Sequence, residues 1–188
     1  MPPLDWGVDD FAGFVVAFCD KLKLKPDVLI GHSFGGQLAV NLVGKGLIEP
    51  KELILLAASA VRPDKTSRDL AYNSVAKVGK RLVPPGPLAR KLRERLYGAA
   101  GTTDYLESGP MQPVYRRIVG EDQRDNAAKI TCPTLLIWGD NDQDAPLERG
   151  RLLHKAIPGS RLEVIPGAGH YAYLDEPEAV MKLIKEGL

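Results

Sequence analysis

Val28-Leu29-Ile30-Gly31-His32-Ser33-Phe34-Gly35-Gly36 is the stretch of this 188-residue chain that decides how the rest is read. An apolar, partly β-branched run enters the pattern G-x-S-x-G, and Gln37-Leu38-Ala39-Val40-Asn41-Leu42-Val43 continues with helix-compatible residues. Strand, tight turn and helix in that order make a nucleophile elbow, which presents a serine at the top of a sheet. Glycines at Gly31 and Gly35 are expected because side chains there would collide with the neighbouring strand and helix. Ser33 itself is expected at positive φ. The new helix points its first N–H groups, the backbone of Phe34 among them, at the carbonyl that Ser33 would attack.

A serine hydroxyl is a poor nucleophile without a base, and the base needs a carboxylate to orient it. The chain has three histidines. His32 adjoins Ser33 and should point away from it across the turn, as a packing residue. His154, in Leu152-Leu153-His154-Lys155, reads as a solvated surface group. His170 follows an apolar strand, Leu162–Ile165, through Pro166-Gly167-Ala168-Gly169. That loop reads as mobile and places His170 where a base could swing onto the serine. The acid is expected in Trp138-Gly139-Asp140-Asn141-Asp142-Gln143-Asp144-Ala145-Pro146, past the strand Thr134–Trp138, since functional groups gather at the carboxyl ends of parallel strands. Asp140, Asp142 and Asp144 all compete for the role, and periodicity does not choose among them.

The surrounding pattern is that of an α/β protein. Val8, Phe11, Phe14, Val15, Phe18 and Leu22 recur at helical spacing before Pro26. Leu53–Ala57 is a second buried strand, Leu147–Ala156 a helix between the last two strands, and Pro177 opens a terminal helix through Val180, Leu183 and Ile184. Strands alternating with helices predict a parallel sheet of about four strands with flanking helices. Between residues 61 and 130 the strand signals vanish and helix formers dominate. We read this as a helical cap inserted into a single domain spanning 1–188, because the alternation resumes after it.

Lys+Arg 25 against Asp+Glu 24 leaves the chain nearly neutral, which argues against nucleic acid or an anionic membrane as partner. Cys19 and Cys132 read as small buried hydrophobes in a reducing compartment. No apolar run approaches the roughly 20 residues of a membrane span, and no signal peptide opens the sequence, so a cytoplasmic location is expected. Neither His nor Cys spacing resembles a metal-ligand set, and no cofactor is implied. The basic cluster Lys77, Lys80, Arg81, Arg90, Lys91, Arg93 and Arg95 reads as a solvated helix face.

Three motifs together resemble the α/β-hydrolase superfamily, specifically its capped serine hydrolases. They are Gly31-His32-Ser33-Phe34-Gly35-Gly36, then Pro133-Thr134-Leu135-Leu136-Ile137-Trp138-Gly139-Asp140-Asn141-Asp142, then Pro166-Gly167-Ala168-Gly169-His170 with Leu174-Asp175-Glu176-Pro177-Glu178. The resemblance implies a Ser33–Asp142–His170 triad, with Asp140 and Asp144 as runners-up for the acid. It also implies an oxyanion hole that includes the Phe34 N–H. The 61–130 insertion becomes a lid over the substrate, with Leu106, Met111 and Tyr115 as candidate pocket residues. The substrate implied is a small-molecule carboxylic ester. Carbon–carbon bond hydrolysis, thioester hydrolysis and perhydrolysis are alternatives within the same fold, and a non-catalytic fragment or part of a split assembly is the rival from outside catalysis.

The chain departs from the family at its beginning. Family members carry about four more strands before the first helix, including a loop that gives a second oxyanion-hole N–H. Residues 1–30 hold no substitute for that loop, and losing one such donor costs ~10²–10³ in rate. The elbow strand is then left as an edge. Three readings follow: a fragment or a start at an internal methionine, which we prefer; pairing through that edge with another chain or a second copy; or a genuinely reduced protein. Edge pairing predicts a dimer or larger species in size-exclusion chromatography, and a well-folded dilute monomer would count against it.

Overall fold

Val28–His32 (β1), Glu52–Leu56 (β2), Thr134–Gly139 (β3) and Arg161–Ile165 (β4) lie side by side in the order β1-β2-β3-β4, every neighbour parallel. In this computed structural model, which describes residues 1–63 and 109–187, they form the expected α/β sheet. Ile30 pairs with Ile54, Ile54 with Leu135, and Leu136 with Leu162. β2 and β3 are buried at every residue, as continuous apolar runs with helices on both faces must be. β1 and β4 are the edges of the sheet among the described residues, and Ile30 on β1 is 49% exposed.

The helices are Val8–Leu22 (α1), Phe34–Gly44 (α2), Gln112–Gly120 (α3), Arg124–Ala127 (α4), Leu147–Ala156 (α5), Ala172–Asp175 (α6) and Pro177–Gly187 (α7). Alternation along β2 divides the core. Leu53 and Leu55 join Val40, Leu136, Trp138 and Leu153 on the face of α2 and α5, while Ile54 and Leu56 join Leu135, Ile137, Ile165 and Val180 beneath α6 and α7. Trp138 is fully buried, and its indole N–H donates to the Ala145 carbonyl at 2.6 Å. A Cβ on Gly150 would lie 2.8 Å from that ring, so the small residue lets α5 close onto it.

Helix α1 has the expected bounds and carries two apolar stripes. Ala12, Val15, Val16 and Cys19 pack against Leu42 of α2 and Ile48 just beyond it, and Val8 is fully buried. Phe14 (61% exposed), Phe18 (51%) and Leu22 (52%) form a second stripe turned away. Both stripes satisfy helical spacing, and the one with small Ala12 allows the closer approach. Cys19 and Cys132 are half-buried free thiols rather than fully buried, and burial raises the Cys132 thiol above its ordinary value.

Contacts divide the chain into one unit of Met1–Arg62 with Pro113–Leu188 and a second of Pro63–Gln112. The larger unit keeps the end of the 61–130 stretch, as α3 and α4, bound to α2 through buried amides. Gln37 Nε2 donates to the carbonyls of Ile118 (3.0 Å) and Glu121 (3.2 Å), and Asn41 Nδ2 donates to Gln123 Oε1 at 3.0 Å. The Arg62 N–H donates to Asp122 Oδ2, and Arg124 Nη2 donates back to the Arg62 carbonyl at 2.7 Å. The central part of the expected cap lies outside the described residues, with Leu106 and the whole basic cluster. Met111 and Tyr115 are half-buried. No helix among the described residues is long and apolar enough to cross a membrane.

The glycines of the elbow are not equivalent. A Cβ on Gly31 would stand 2.7 Å from both the Gly35 carbonyl oxygen and Gly36 Cα, and one on Gly36 would overlap the Ala58 side chain. At Gly35, among the described residues, nothing lies within 4 Å of an added Cβ. The steric demand therefore falls on Gly31 and Gly36, not on Gly31 and Gly35. Urea denaturation should find Gly31→Ala destabilised by about 1–3 kcal/mol, because fixed backbone cannot yield. Gly35→Ala should stay within about 1 kcal/mol of the parent, since alanine is the better helix former. Equal losses would contradict this geometry.

Candidate active site

Ser33 occupies φ 51°, ψ −115°, a backbone state that side chains rarely enter. Three hydrogen bonds hold it there. Its N–H donates to the Leu56 carbonyl at 3.0 Å, and its carbonyl accepts from the N–H groups of Gln37 and Ser59, each at 3.1 Å. The turn after β2 is therefore part of the elbow. It is strained as well, with Ala57 at φ 45°, and it brings Ala58 against Gly36. The Gln37-to-Ser33 bond is the first turn of α2. By position, the N–H groups of Phe34, Gly35 and Gly36 then have no acceptor within their own helix. They make the positive end of α2, directly following Ser33 in the chain.

The three aspartates of the loop after β3 separate by role. Asp142 is buried, and its Oδ2 accepts from His170 Nδ1 at 2.8 Å. Its Oδ1 accepts from the backbone N–H groups of Asp144 (2.9 Å) and Ala145 (2.8 Å), so both oxygens are satisfied, as a buried carboxylate requires. Asp140 Oδ1 instead accepts from the Gly167 N–H at 2.7 Å, and the Asp144 side chain is exposed. Geometry thus places Asp142 against His170 and gives Asp140 a different task. Because a carboxylate oxygen only accepts, His170 carries its proton on Nδ1. In a neutral imidazole with its hydrogen there, the acceptor lone pair lies on Nε2.

The loop carrying His170 is not the free-swinging segment that its glycines suggest. Asp140 holds Gly167, Asp175 Oδ2 accepts from the Gly169 N–H at 2.8 Å, and the Asn141 N–H donates to the Ala168 carbonyl at 3.0 Å. The glycine in β3 has a matching cause: a Cβ on Gly139 would overlap the carbonyl oxygens of Ala168 and Gly169. Those contacts press the end of β3 against the His170 loop. Asp175 belongs to the short helix α6, whose spacing gives no sequence signal. Its part in holding the loop was invisible until the fold brought it back.

His32 packs against the site as expected and also makes a specific bond. Its Nε2 lies 3.0 Å from the His170 carbonyl, and the two rings are 4.8 Å apart. His154 is exposed as expected, with Nδ1 2.9 Å from Ser160 Oγ. Asp142, Asp144 and His170 offer ligand atoms within 4.8 Å of one another, among the described residues a geometry that could hold a metal ion. The Asp142 oxygens and His170 Nδ1 are already joined to protein partners, so an ion would have to displace those bonds.

Ser33, Asp142 and His170 thus lie just past the carboxyl ends of β1, β3 and β4, in three loops on one side of the sheet. This order and placement mark the class of hydrolases built on a parallel sheet with a serine elbow. The Alpha/beta hydrolase family matches residues 1–183, and the chain belongs to that family. It is 34% identical over 191 residues to the monoacylglycerol lipase ABHD6 of Mus musculus, a match covering 90% of this chain and 57% of the relative. It is 24% identical over 214 residues to the uncharacterized protein Rv2715 of Mycobacterium tuberculosis, covering 98% of this chain and 62% of that protein. Among solved structures, the esterase EaEST from Exiguobacterium antarcticum superposes with TM-score 0.66 at 26% identity, covering 98% of this chain and 75% of the other. The chain spans about three fifths of the length of the curated relatives it matches.

Burial lowers the His32 imidazole below the ordinary histidine value of 6.5, and the charge of His170 adds to the lowering. The bond to the His170 carbonyl and the Asp142 charge oppose it. The unfolded chain then takes up a proton at His32 before the folded one does, so this group's contribution is complete above 6.5 and is lost as pH falls. Urea midpoints should therefore fall less between about pH 7.5 and about pH 5.5 in His32→Gln than in the parent. An unchanged slope would show that other groups carry the acid sensitivity.

Proposed function

We propose that this chain carries the catalytic centre of a serine hydrolase acting on carboxylic esters of small molecules. The observation that carries the reading is the 2.8 Å bond from His170 Nδ1 to buried Asp142, on a loop packed against the residue that precedes the strained Ser33. In this mechanism Ser33 Oγ attacks the ester carbonyl while His170 Nε2 removes its proton. Asp142 keeps the ring in the tautomer that exposes Nε2 and stabilises the imidazolium. The Phe34 N–H donates to the tetrahedral oxyanion. Collapse expels the alcohol, which takes the proton from His170, and leaves an acyl group on Ser33. Water, deprotonated by the same His170, then releases the acid and restores the serine.

The ester assignment is supported by the lipase and esterase among the relatives, and by a nucleophile that needs no metal or organic cofactor. A fluorophosphonate tests the reading without knowledge of the natural ester: the Ser33 Oγ–P bond forms, the P–F bond breaks, fluoride leaves and the proton passes to His170. Labelling should disappear in Ser33→Ala and slow by at least ~10³-fold in His170→Ala. Asp142→Asn should slow it ~10²–10⁴-fold, while Asp140→Asn and Asp144→Asn stay within about threefold of the parent. No labelling of the folded parent would defeat the reading, and equal losses at all three aspartates would misplace the acid.

A further inference from the structure

β1 and β4 are separated in the sheet by β2 and β3, so strand pairing alone does not fix the distance between the loops that follow them. Asp142 restrains the His170 ring through one atom, Nδ1. Asp140, Asn141 and Asp175 restrain the loop only as far as Gly169. The carbonyl of His170 itself is bonded by the side chain of His32, across a separation of 138 residues. A backbone carbonyl only accepts, so His32 Nε2 must bear a hydrogen and donate it. That commits Nε2 to this bond and removes it from proton transfer.

The surroundings of His32 fit a clamp. Its ring lies 4.8 Å from that of His170 at 52°, 5.2 Å from that of Tyr171, and 5.2 Å from that of Tyr173 in an edge-to-face contact of 82°. His170, Tyr171, Tyr173 and the Asp142 charge are the groups that face it. Covalently, His32 is the residue before Ser33, so one side chain links the strand of the nucleophile to the loop of the base. A neutral clamp is also needed here, because a second positive charge so close would oppose protonation of His170.

We propose that His32 is a positioning residue for His170: its Nε2–H holds the His170 carbonyl while its ring packs against the imidazole, setting the distance between base and nucleophile. The inference rests on the reading of Ser33 and His170 as nucleophile and base. Asp142 sets which nitrogen of His170 carries the hydrogen, and His32 sets where the backbone beneath that ring sits. Neither restraint substitutes for the other, since they act on different atoms.

The test compares the parent with His32→Phe, which keeps a ring and loses the donor, and His32→Gln, whose amide nitrogen reaches the same position without a titrating charge. Fluorophosphonate labelling is resolved into the maximal rate and the concentration for half-maximal rate, and backbone hydrogen exchange is followed over residues 167–172. His32→Phe should lower the maximal rate ~10–100-fold, as expected of a base displaced by a fraction of an ångström, with half-saturation within about twofold. Its loop amides should exchange faster. His32→Gln should recover most of the rate and the protection. Parent-like rate and protection in His32→Phe would overturn the proposal, and so would a His32→Gln as impaired as His32→Phe. If Ser33→Ala labels as fast as the parent, the catalytic reading fails on its own. Exchange then decides the clamp: protection lost in Phe and kept in Gln supports it, and protection unchanged in Phe overturns it.

Discussion

The backbone of Ser33 is the constraint on which the rest of the structure depends. A non-glycine residue at φ 51° costs on the order of 1–3 kcal/mol unless its surroundings enforce it. Here they do so through main-chain bonds to two places, the end of β2 and the first turn of α2. The pairing of β1 with β2 therefore holds the turn in its strained state as well as building the sheet. Gly31 and Gly36 are required because that turn leaves no room for a Cβ on either side. Buried Gln37 and Asn41 on α2 extend the same support by fastening α3 and α4 to the elbow helix.

The strain has a chemical purpose under the proposed function. It holds the serine at the head of α2, next in the chain to the N–H groups of Phe34 and its neighbours that have no acceptor within their own helix, so donor and nucleophile are set by one piece of backbone. The acid and the base come from elsewhere in the chain and have to be brought to it. Close packing of Gly139 against Ala168 and Gly169 seats the His170 loop on the end of β3, and Asp140, Asn141 and Asp175 fasten it. A loop rich in glycine is in this case a loop that fits closely, not one that moves.

Much of this was legible in the sequence, for identifiable reasons. Strands β2 and β3 announce themselves because strands buried on both faces read as near-continuous apolar runs, here after an opening Glu52 and Thr134. The elbow and the serine–aspartate–histidine order are legible because their chemistry restricts residue type at fixed spacing. Which aspartate faces His170 was not derivable from periodicity; the choice of Asp142 came from the family resemblance, and in the structure Asp142 is bonded to His170 Nδ1. Which face of α1 packs was not legible because two apolar stripes share one helix, and the small side chain of Ala12 marks the stripe that packs. The turn at Ala57–Ser59, the clasp from Asp175 and the bond from His32 were illegible. The first and last depend on contacts between distant segments, the Asp175 clasp on a local turn six residues long, and all use residue types common in unconstrained positions.

Two histidines face each other at this site with complementary proton placement. His170 donates from Nδ1 to Asp142, whereas His32 donates from Nε2 to the His170 carbonyl. The central claim is that this arrangement serves Ser33 as a nucleophile. The most direct measurement is a crystal structure of the protein after reaction with a fluorophosphonate. The account predicts phosphorus bonded to Ser33 Oγ and a phosphoryl oxygen about 3 Å from the Phe34 backbone nitrogen, with His170 still paired to Asp142. A folded protein with no adduct, or with the adduct on another side chain, would contradict it.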